Sequence, residues 1–212
     1  LLSEVTNTAK MVGAVNTVWE SGSGWKGTNT DVEGFVAPLR EISADWRNTT
    51  AIVLGNGGSA RAVVAGLAEL GCSAIHIIGR DREKLVNFYQ SWPNLPKITQ
   101  LLKVHYSETL PELLSTADLL VNTTPVGMYP HIDNSPVSPD LIKLLKPDAI
   151  AYDLIYTPSP TKFLSFARDQ GLKTIDGLEM LVQQGAAALE IWLQQPVPVD
   201  TMRNSLKQKL FG

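Results

Sequence analysis

Residues 50–62 decide the fold; they read Thr-Ala-Ile-Val-Leu-Gly-Asn-Gly-Gly-Ser-Ala-Arg-Ala. The apolar run that ends at Gly55 is rich in β-branched residues and is typical of a buried strand in a parallel sheet. From Ser59 to Leu70 the chain is rich in Ala and Leu. This predicts a helix, which Gly71 ends as a C-cap. A strand, a glycine turn and a helix in this order begin a βαβ unit.

The turn between this strand and this helix has the Gly-x-Gly-x-x-Ala spacing of dinucleotide-binding folds. Its first glycine allows the tight bend, and its second lets the backbone approach a pyrophosphate. The amides of the first helical turn then face the negative charge. We expect a nucleotide to bind here; the alternative is a tight strand–helix turn without a ligand. The predicted contacts are Gly55, Asn56, Gly57, Gly58 and Ser59.

The end of the next predicted strand, residues 74–78, selects the cofactor. NAD-binding folds usually have an acid about 20 residues after the glycine turn, which holds the ribose 2′-hydroxyl. Here Gly79 and Arg80 stand in that place. A small residue leaves room for a 2′-phosphate and a guanidinium can bind it, so NADP(H) is favoured. Asp81 argues against this choice unless its carboxylate serves as the N-cap of the following helix.

The rest of the sequence continues to alternate between strands and helices, which predicts an α/β fold with a Rossmann-type, doubly wound parallel sheet. After the helix that follows Asp81 and reaches about Gln90, strands are predicted at 101–105, 118–122, 150–154 and 173–175. Helices are predicted at 110–115 and 162–170, and loops at 92–96 and 123–139.

Two flanks surround this sheet. Residues 1–46 contain too little apolar surface for a core of their own, so we interpret them as the remnant of a smaller α/β substrate-binding lobe. Residues 47–176 form the nucleotide domain, and 177–212 are helices that pack back towards the lobe. The predicted elements of the flanks are helices at about 3–10, 32–43, 178–193 and 201–210, and strands at 15–19 and 25–27.

The composition excludes several classes of protein. With 44% hydrophobic residues, 18% charged residues and a net charge of −3, the chain has no electrostatic reason to bind nucleic acid or an anionic membrane. No apolar run reaches the roughly 18–20 residues of a membrane span. Cys72 is the only cysteine, and the three histidines lack metal-ligand spacing. We therefore expect no disulfide, no metal and a cytoplasmic location.

Six blocks of this sequence resemble the shikimate dehydrogenases, in the order of that family and over essentially the whole chain. The resemblance implies the reversible reduction of 3-dehydroshikimate to shikimate with NADPH, in the pathway to aromatic amino acids. The blocks are Gly13-Ala-Val-Asn-Thr17, Gly27-Thr-Asn-Thr-Asp31 with Gly34-Phe35, the glycine turn through Ala62, Asn122-Thr-Thr-Pro-Val-Gly-Met128, Tyr152-Asp-Leu-Ile-Tyr156 with the following Pro160-Thr-Lys-Phe-Leu164, and Asp176-Gly-Leu-Glu-Met-Leu-Val-Gln-Gln184.

The resemblance also implies a substrate site. Asn16 and Asp31 would bind the substrate hydroxyls, and Asp31 would be the catalytic residue. Tyr156 and Gln184 would contact the ring substituents and the carboxylate from the other lobe. The residues themselves leave alternatives open: Asp31 also suits a helix N-cap, and Tyr156 could be a packed aromatic. Gln184 shares a helix face with Gly177, whereas the neighbouring glutamine is expected at the surface.

On the cofactor side, the resemblance implies that Thr124, Leu154 and Gly177 line the nicotinamide. Arg80 matches the arginine that binds the 2′-phosphate, although the family's Asn-Arg-Thr reads Gly-Arg-Asp here. This departure leaves open an NAD-preferring quinate/shikimate dehydrogenase. For the assembly, a homodimer is kept as an alternative to a monomer.

Family members also have an Asn-Val-Thr-x-Pro-x-Lys motif upstream of Gly-Ala-Val-Asn-Thr, and these 212 residues do not contain it. Its lysine pairs with the aspartate that matches Asp31 and moves the proton during carbonyl reduction. We therefore expect this chain, which does not begin with Met, to be the later part of a family member. By itself it is expected to bind NADP(H) but to oxidise shikimate poorly. A non-catalytic nucleotide-binding module is the alternative from another class.

Overall fold

The computed structural model describes residues 2–22, 24–42, 45–92 and 96–212. They form a small sheet and a large one, connected through packed helices. Two sequence predictions fall partly outside the described residues: the end of the helix at Ser43, and most of the loop at 92–96. Within the described ranges, no helix is both long and apolar enough to cross a membrane.

The small sheet has three strands in the order β1-β3-β2. The helix predicted at 3–10 is wrong in its first half, because Glu4 and Val5 pair in parallel with Lys26 and Gly27. The Thr6 hydroxyl then accepts a hydrogen bond from the Ala9 amide, so the helix begins only after Thr6. The elements are β1 (Glu4–Val5), α1 (Asn7–Val12), β2 (Thr17–Ser21), β3 (Gly24–Thr28) and α2 (Asp31–Ile42).

The large sheet has six strands, all parallel, in the order β6-β5-β4-β7-β8-β9. This is the doubly wound Rossmann order and confirms the predicted fold class. Its strands are β4 (Thr50–Leu54), β5 (Ala74–Gly79), β6 (Leu102–Tyr106), β7 (Leu119–Asn122), β8 (Ile150–Asp153) and β9 (Lys173–Ile175). Its helices are α3 (Gly58–Leu70), α4 (Arg82–Gln90), α5 (Pro96–Leu101), α6 (Leu110–Leu114), α7 (Pro139–Ile142) and α8 (Lys162–Asp169).

Apolar side chains cover both faces of the large sheet. On one face, Phe35 of α2 and Leu67 of α3 pack with Ile75 and Ile77 of β5 in one buried cluster. On the other face, helices α6, α7 and α8 cover Ile52 and Leu120 in a second cluster. The central strands β4, β5, β7 and β8 are buried on both faces, which is why they read as nearly unbroken apolar runs. The helix α5, which the sequence did not predict, contributes Ile98 to the first cluster.

Helix α2 of the small lobe lies against α9 (Gly177–Leu193), which follows the last strand of the large sheet. The contact is close at Gly34, where an added Cβ would lie 2.6 Å from the carbonyl oxygen of Met180 and 2.8 Å from the Cβ of Gln184. The final helix α10 (Val199–Phe211) packs on α9. Gln183, which was predicted at the surface, is instead half-buried. Its side-chain amide donates a hydrogen bond to Glu179, which also pairs with Arg203 of α10.

The close contact at Gly34 predicts that Gly34→Ala destabilises the protein. Alanine gains about 1 kcal/mol in helix propensity, but the overlap with backbone and side-chain atoms of α9 costs about 1–3 kcal/mol. The matched control is Gly185→Ala in α9, where an added Cβ would lie 3.8 Å from the Met202 methyl group, in ordinary contact. We expect the control to be neutral or stabilising in chemical denaturation. Equal stability of the two variants would contradict the packing argument.

Candidate active site

A groove of about 820 Å³ lies at the carboxyl ends of β4, β5 and β7. This is the point where the strand order of the sheet reverses, which in open parallel sheets is where ligands bind. The groove is lined by the turn after β4, by the residues that end β5 and by the loop after β7. Of the predicted cofactor residues it contains Gly55, Asn56, Gly57, Arg80 and Thr124.

The turn between β4 and α3 is open on its outer side. Gly55 has φ +102°, and an added Cβ there would lie 2.7 Å from the Thr123 hydroxyl, so the tight bend requires glycine. Gly57 and Gly58 have no atom within 4 Å of an added Cβ. Helix α3 begins after Gly57 with no side-chain cap, so the amides of its first turn are available to an anion.

Asn56 supports the same conclusion. Its side-chain Nδ2 is buried and has no hydrogen-bond partner among the described residues. A buried hydrogen-bond donor without a partner lowers the stability of the fold, and a bound ligand that accepts its hydrogen bond would remove this penalty. The phosphates of a dinucleotide carry acceptors of this kind, so the turn fits the predicted cofactor.

Arg80 and Asp81 differ in the contacts of their side chains. Arg80 is exposed, lines the groove, and has no ion pair or hydrogen bond with the described part of the chain. The Asp81 carboxylate caps α4 by accepting a hydrogen bond of 3.1 Å from the Lys84 amide, and the Lys84 ammonium lies 3.9 Å from its other oxygen. Asp81 is therefore engaged by its helix, while Arg80 is free to bind a phosphate.

The residues predicted to line the nicotinamide lie next to one another. Leu154 follows β8, and its amide donates to the carbonyl of Asn122 at the end of β7. Gly177 begins α9 so close to Leu154 that an added Cβ would lie 2.0 Å from the Leu154 carbonyl oxygen. Thr124 follows β7 and belongs to the groove. Thr124 and Leu154 are both hydrogen-bonded to Asn122. The three positions therefore connect the groove with the beginning of α9, and we call them the nicotinamide wall after their predicted role.

Asn16 and Asp31 are joined by a hydrogen bond of 3.0 Å from the Asn16 amide to the Asp31 carboxylate. Asn16 precedes β2, although the predicted strand included it. Its side-chain oxygen Oδ1 accepts hydrogen bonds from the backbone amide and the hydroxyl of Thr30. Burial raises the pKa of Asp31, although hydrogen bonds from Asn16 and Asn29 act in the opposite direction. The pair thus forms one hydrogen-bonded polar unit at the beginning of α2.

Gln184 packs against α2 at Gly34, three residues after Asp31. Its side-chain amide donates to the carbonyl of Leu181 in its own helix at 3.2 Å. Gln184 stands seven residues after Gly177 in α9, which corresponds to about 10 Å along the helix axis. Helix α9 therefore contacts α2 close to Asp31 and begins at Gly177, one of the three residues predicted to line the nicotinamide. Tyr156 is 41% exposed in the loop after β8.

Two groups of residues escaped the sequence analysis, although both stand inside the quoted blocks. Arg61 of α3 donates to the carbonyls of Val12 and Met11 and stacks over Trp92, with its guanidinium carbon 4.5 Å from the ring centroid. It thereby ties the end of α1, just before Asn16, to the nucleotide-binding helix. The second group is a buried trio: Asn122, Asp153 and Thr161.

The trio connects the ends of β7 and β8. The Asp153 carboxylate accepts hydrogen bonds from the Asn122 amide at 2.9 Å and from the Thr161 hydroxyl at 2.6 Å. A third hydrogen bond comes from the Ile155 amide at 3.1 Å. Burial raises the pKa of Asp153 to about 6, because these hydrogen bonds do not fully compensate the lost hydration.

Comparison with known proteins finds relatives in sequence and in structure. The family Shikimate 5'-dehydrogenase C-terminal domain matches residues 177–207. The shikimate dehydrogenase (NADP(+)) of Crocosphaera subtropica is 60% identical over 212 residues, which are 100% of this chain and 73% of that protein.

Two solved structures are also similar. One is the shikimate 5-dehydrogenase of Thermus thermophilus in complex with NADP(H) and shikimate, with a TM-score of 0.82 and 31% identity over 99% of this chain and 73% of that one. The other is the quinate dehydrogenase of Corynebacterium glutamicum in complex with NAD, with a TM-score of 0.87 and 27% identity over 98% of this chain and 72% of that one.

The strand order, and the uncapped helix at the point where it reverses, define a dinucleotide-binding protein of the α/β class. The identity of 60% over the whole chain narrows this class to one family. The chain belongs to the shikimate dehydrogenases, as its sequence blocks predicted. The roles of the individual site residues and the limits of the domains stay predictions. No group of three or more His, Cys, Asp or Glu side chains that could hold a metal occurs in the described part of the chain.

The raised pKa of Asp153 predicts a pH-dependent stability difference. Because the folded-state pKa of about 6 exceeds the ordinary value of 3.8, the stabilisation is complete below about pH 4 and is lost as the pH rises through 6. Asp153→Asn removes this titration. We expect the unfolding free energy of the wild type, relative to this variant, to fall by about 3 kcal/mol between about pH 4 and pH 7.5.

This difference is measured by denaturant unfolding of both proteins across the pH range. Asp148→Asn, which removes an exposed carboxyl group, controls for the loss of one charge. A constant difference between the wild type and the Asp153 variant would show that Asp153 does not titrate as its burial implies.

Proposed function

We propose that this chain provides the cofactor site and one wall of the substrate site of an NADP(H)-dependent shikimate dehydrogenase. The reaction is the reversible reduction of 3-dehydroshikimate to shikimate in aromatic amino acid biosynthesis. The observation that carries this proposal is the hydrogen-bonded pair of Asn16 and Asp31, which α2 and α9 hold near the wall that continues the nucleotide groove.

The residues divide into a cofactor set and a substrate set. The amides after Gly57 and the Asn56 side chain would hold the pyrophosphate, and Arg80 the 2′-phosphate. Thr124, Leu154 and Gly177 would pack against the nicotinamide ring. The bound cofactor supplies the hydride. The protein's own contribution is to orient this ring against the substrate and to exclude water from the contact.

On the substrate side, an ionised Asp31 can only accept hydrogen bonds, so it suits a substrate hydroxyl. Asn16 fixes the orientation of this carboxylate and would itself bind a substrate hydroxyl. Gln184 lies on the side of α9 that faces α2, within reach of the same cleft, and Tyr156 would have to approach from the loop after β8. This arrangement supports a polyhydroxylated substrate rather than an apolar one.

Replacement of Asp31 by Asn tests the substrate assignment in the full-length protein as it is encoded. We expect kcat/KM for shikimate oxidation with NADP⁺ to fall by about 100-fold or more, while the dissociation constant of NADPH changes by less than about twofold. The control is Glu33→Gln on the same helix, an exposed residue paired with Arg40. It should keep wild-type kinetics.

A non-catalytic nucleotide-binding module predicts a different result from these assays. In that case the wild type binds NADPH, but it neither oxidises shikimate nor binds it in a soaked crystal. Shikimate-dependent reduction of NADP⁺ that Asp31→Asn leaves intact would contradict the assignment of Asp31 and keep the enzyme class.

Arg80 tests the cofactor. Arg80→Ala removes a charge-assisted hydrogen bond to the 2′-phosphate, so we expect NADPH to bind about 10–100-fold more weakly and NADH to bind as before. Arg47→Ala, near the amino end of β4 and paired with Asp45, is the matched control. A wild type that prefers NADH, with no effect of Arg80→Ala, would favour the NAD-preferring quinate/shikimate dehydrogenase.

We also infer a cytoplasmic location, because the single cysteine, Cys72, is a buried free thiol, which suits a reducing compartment. A homodimer and the lack of nucleic-acid binding stay predictions of the sequence.

A further inference from the structure

The strands β7 and β8 both end on polar residues that are completely buried. Asn122 and Asp153 stand opposite each other in the parallel register, and both side chains have 0% of their surface exposed. Thr161, the N-cap of α8, is equally buried and donates its hydroxyl hydrogen to the Asp153 carboxylate at 2.6 Å. The aspartate makes no ion pair within the described ranges, so its charge depends on hydrogen bonds alone.

The hydrogen bonds of this trio extend into two loops. The side-chain oxygen Oδ1 of Asn122 accepts two hydrogen bonds from Thr124: one from its backbone amide at 3.0 Å and one from its hydroxyl at 2.7 Å. The Asp153 carboxylate accepts from the amide of Ile155 at 3.1 Å, and the Ile155 carbonyl in turn accepts from the amide of Gly177. Each loop is thus fixed at its first residues, directly beside the wall described above.

Three uncharged, apolar side chains would fill this space with a smaller desolvation cost. Replacing buried ionic groups with well-packed apolar residues is often neutral or stabilising, so burial of Asp153 is weak evidence for a role in stability. Apolar residues, however, could not bind the backbone amides of two loops at once. The trio therefore offers a defined position for the loops rather than a larger core.

We propose that Asn122, Asp153 and Thr161 form a positioning network that fixes the wall against which the nicotinamide half of NADP(H) packs. This inference rests on the proposed function. The three residues of the network touch neither cofactor nor substrate, and they act through Thr124, Leu154 and Gly177. Because the adenosine half of the cofactor binds in the groove around Arg80, the network acts on one half of the dinucleotide only.

Thr161 allows the sharpest test, because Val and Ser separate its shape from its hydroxyl. Thr161→Val keeps the volume and removes the hydrogen bond to Asp153, whereas Thr161→Ser keeps the hydroxyl. Ser165→Ala is the matched control, since Ser165 lies in the same helix and, among the described residues, its hydroxyl bonds only the Thr161 carbonyl. Dissociation constants are measured for NADPH and for adenosine 2′,5′-bisphosphate, which represents the adenosine half, and kcat is measured in the full-length enzyme.

We expect Thr161→Val to weaken NADPH binding about tenfold and to lower kcat by about 10–100-fold, because the wall is displaced. Its affinity for the bisphosphate should stay within about twofold of the wild type. Thr161→Ser should restore NADPH affinity and kcat, and Ser165→Ala should leave both unchanged.

Equal losses for NADPH and the bisphosphate would overturn the proposal, because they would show a general weakening of the fold. Unchanged NADPH affinity and kcat in Thr161→Val would overturn it as well. A wild type that binds the bisphosphate but gains nothing from the nicotinamide half would contradict the proposed function itself, and the network would fall with it.

Discussion

Parallel pairing of the six strands is the constraint on which the site depends. It places the carboxyl ends of all strands at one edge of the sheet, so the turns after β4, β5, β7 and β8 meet there. Each of these turns then supplies a different element: an open helix terminus, an arginine, and the two loops of the nicotinamide wall. A central strand that ran in the opposite direction would carry its own turn to the other edge of the sheet, away from the rest.

The second constraint is the contact between α2 and α9, which carries the substrate residues to this edge. Helix α2 starts with Asp31 and packs through Gly34 against α9, whose first residue belongs to the wall. Arg61 adds a polar connection, because it joins the end of α1 to the first turns of α3. The distance between the two halves of the site is therefore set by helix packing and one half-buried guanidinium, not by a covalent linker alone.

The sequence predicted those features that depend on residues close together in the chain. The turn at residues 55–60 and the cap at Asp81 follow from local spacing, and the structure shows both geometries. The short strand β1 could not be found in this way, because its partner β3 lies about twenty residues away and its own sequence suits a helix equally well. Arg61 was likewise invisible as a link, since its partners belong to α1 and to the residues after α4.

The buried trio shows why long-range chemistry is hard to read from a sequence. Asn122 and Asp153 were quoted as parts of blocks, but only the register of β7 and β8 shows that their side chains meet. On the proposed assignment of residues, the two halves of the cofactor site consequently rely on different interactions. The adenosine half uses exposed charge and free backbone amides, which tolerate small displacements because electrostatic attraction falls off slowly with distance. The nicotinamide half has buried, directional hydrogen bonds behind it, as alignment of a hydride donor with its acceptor requires positions defined to a fraction of an ångström.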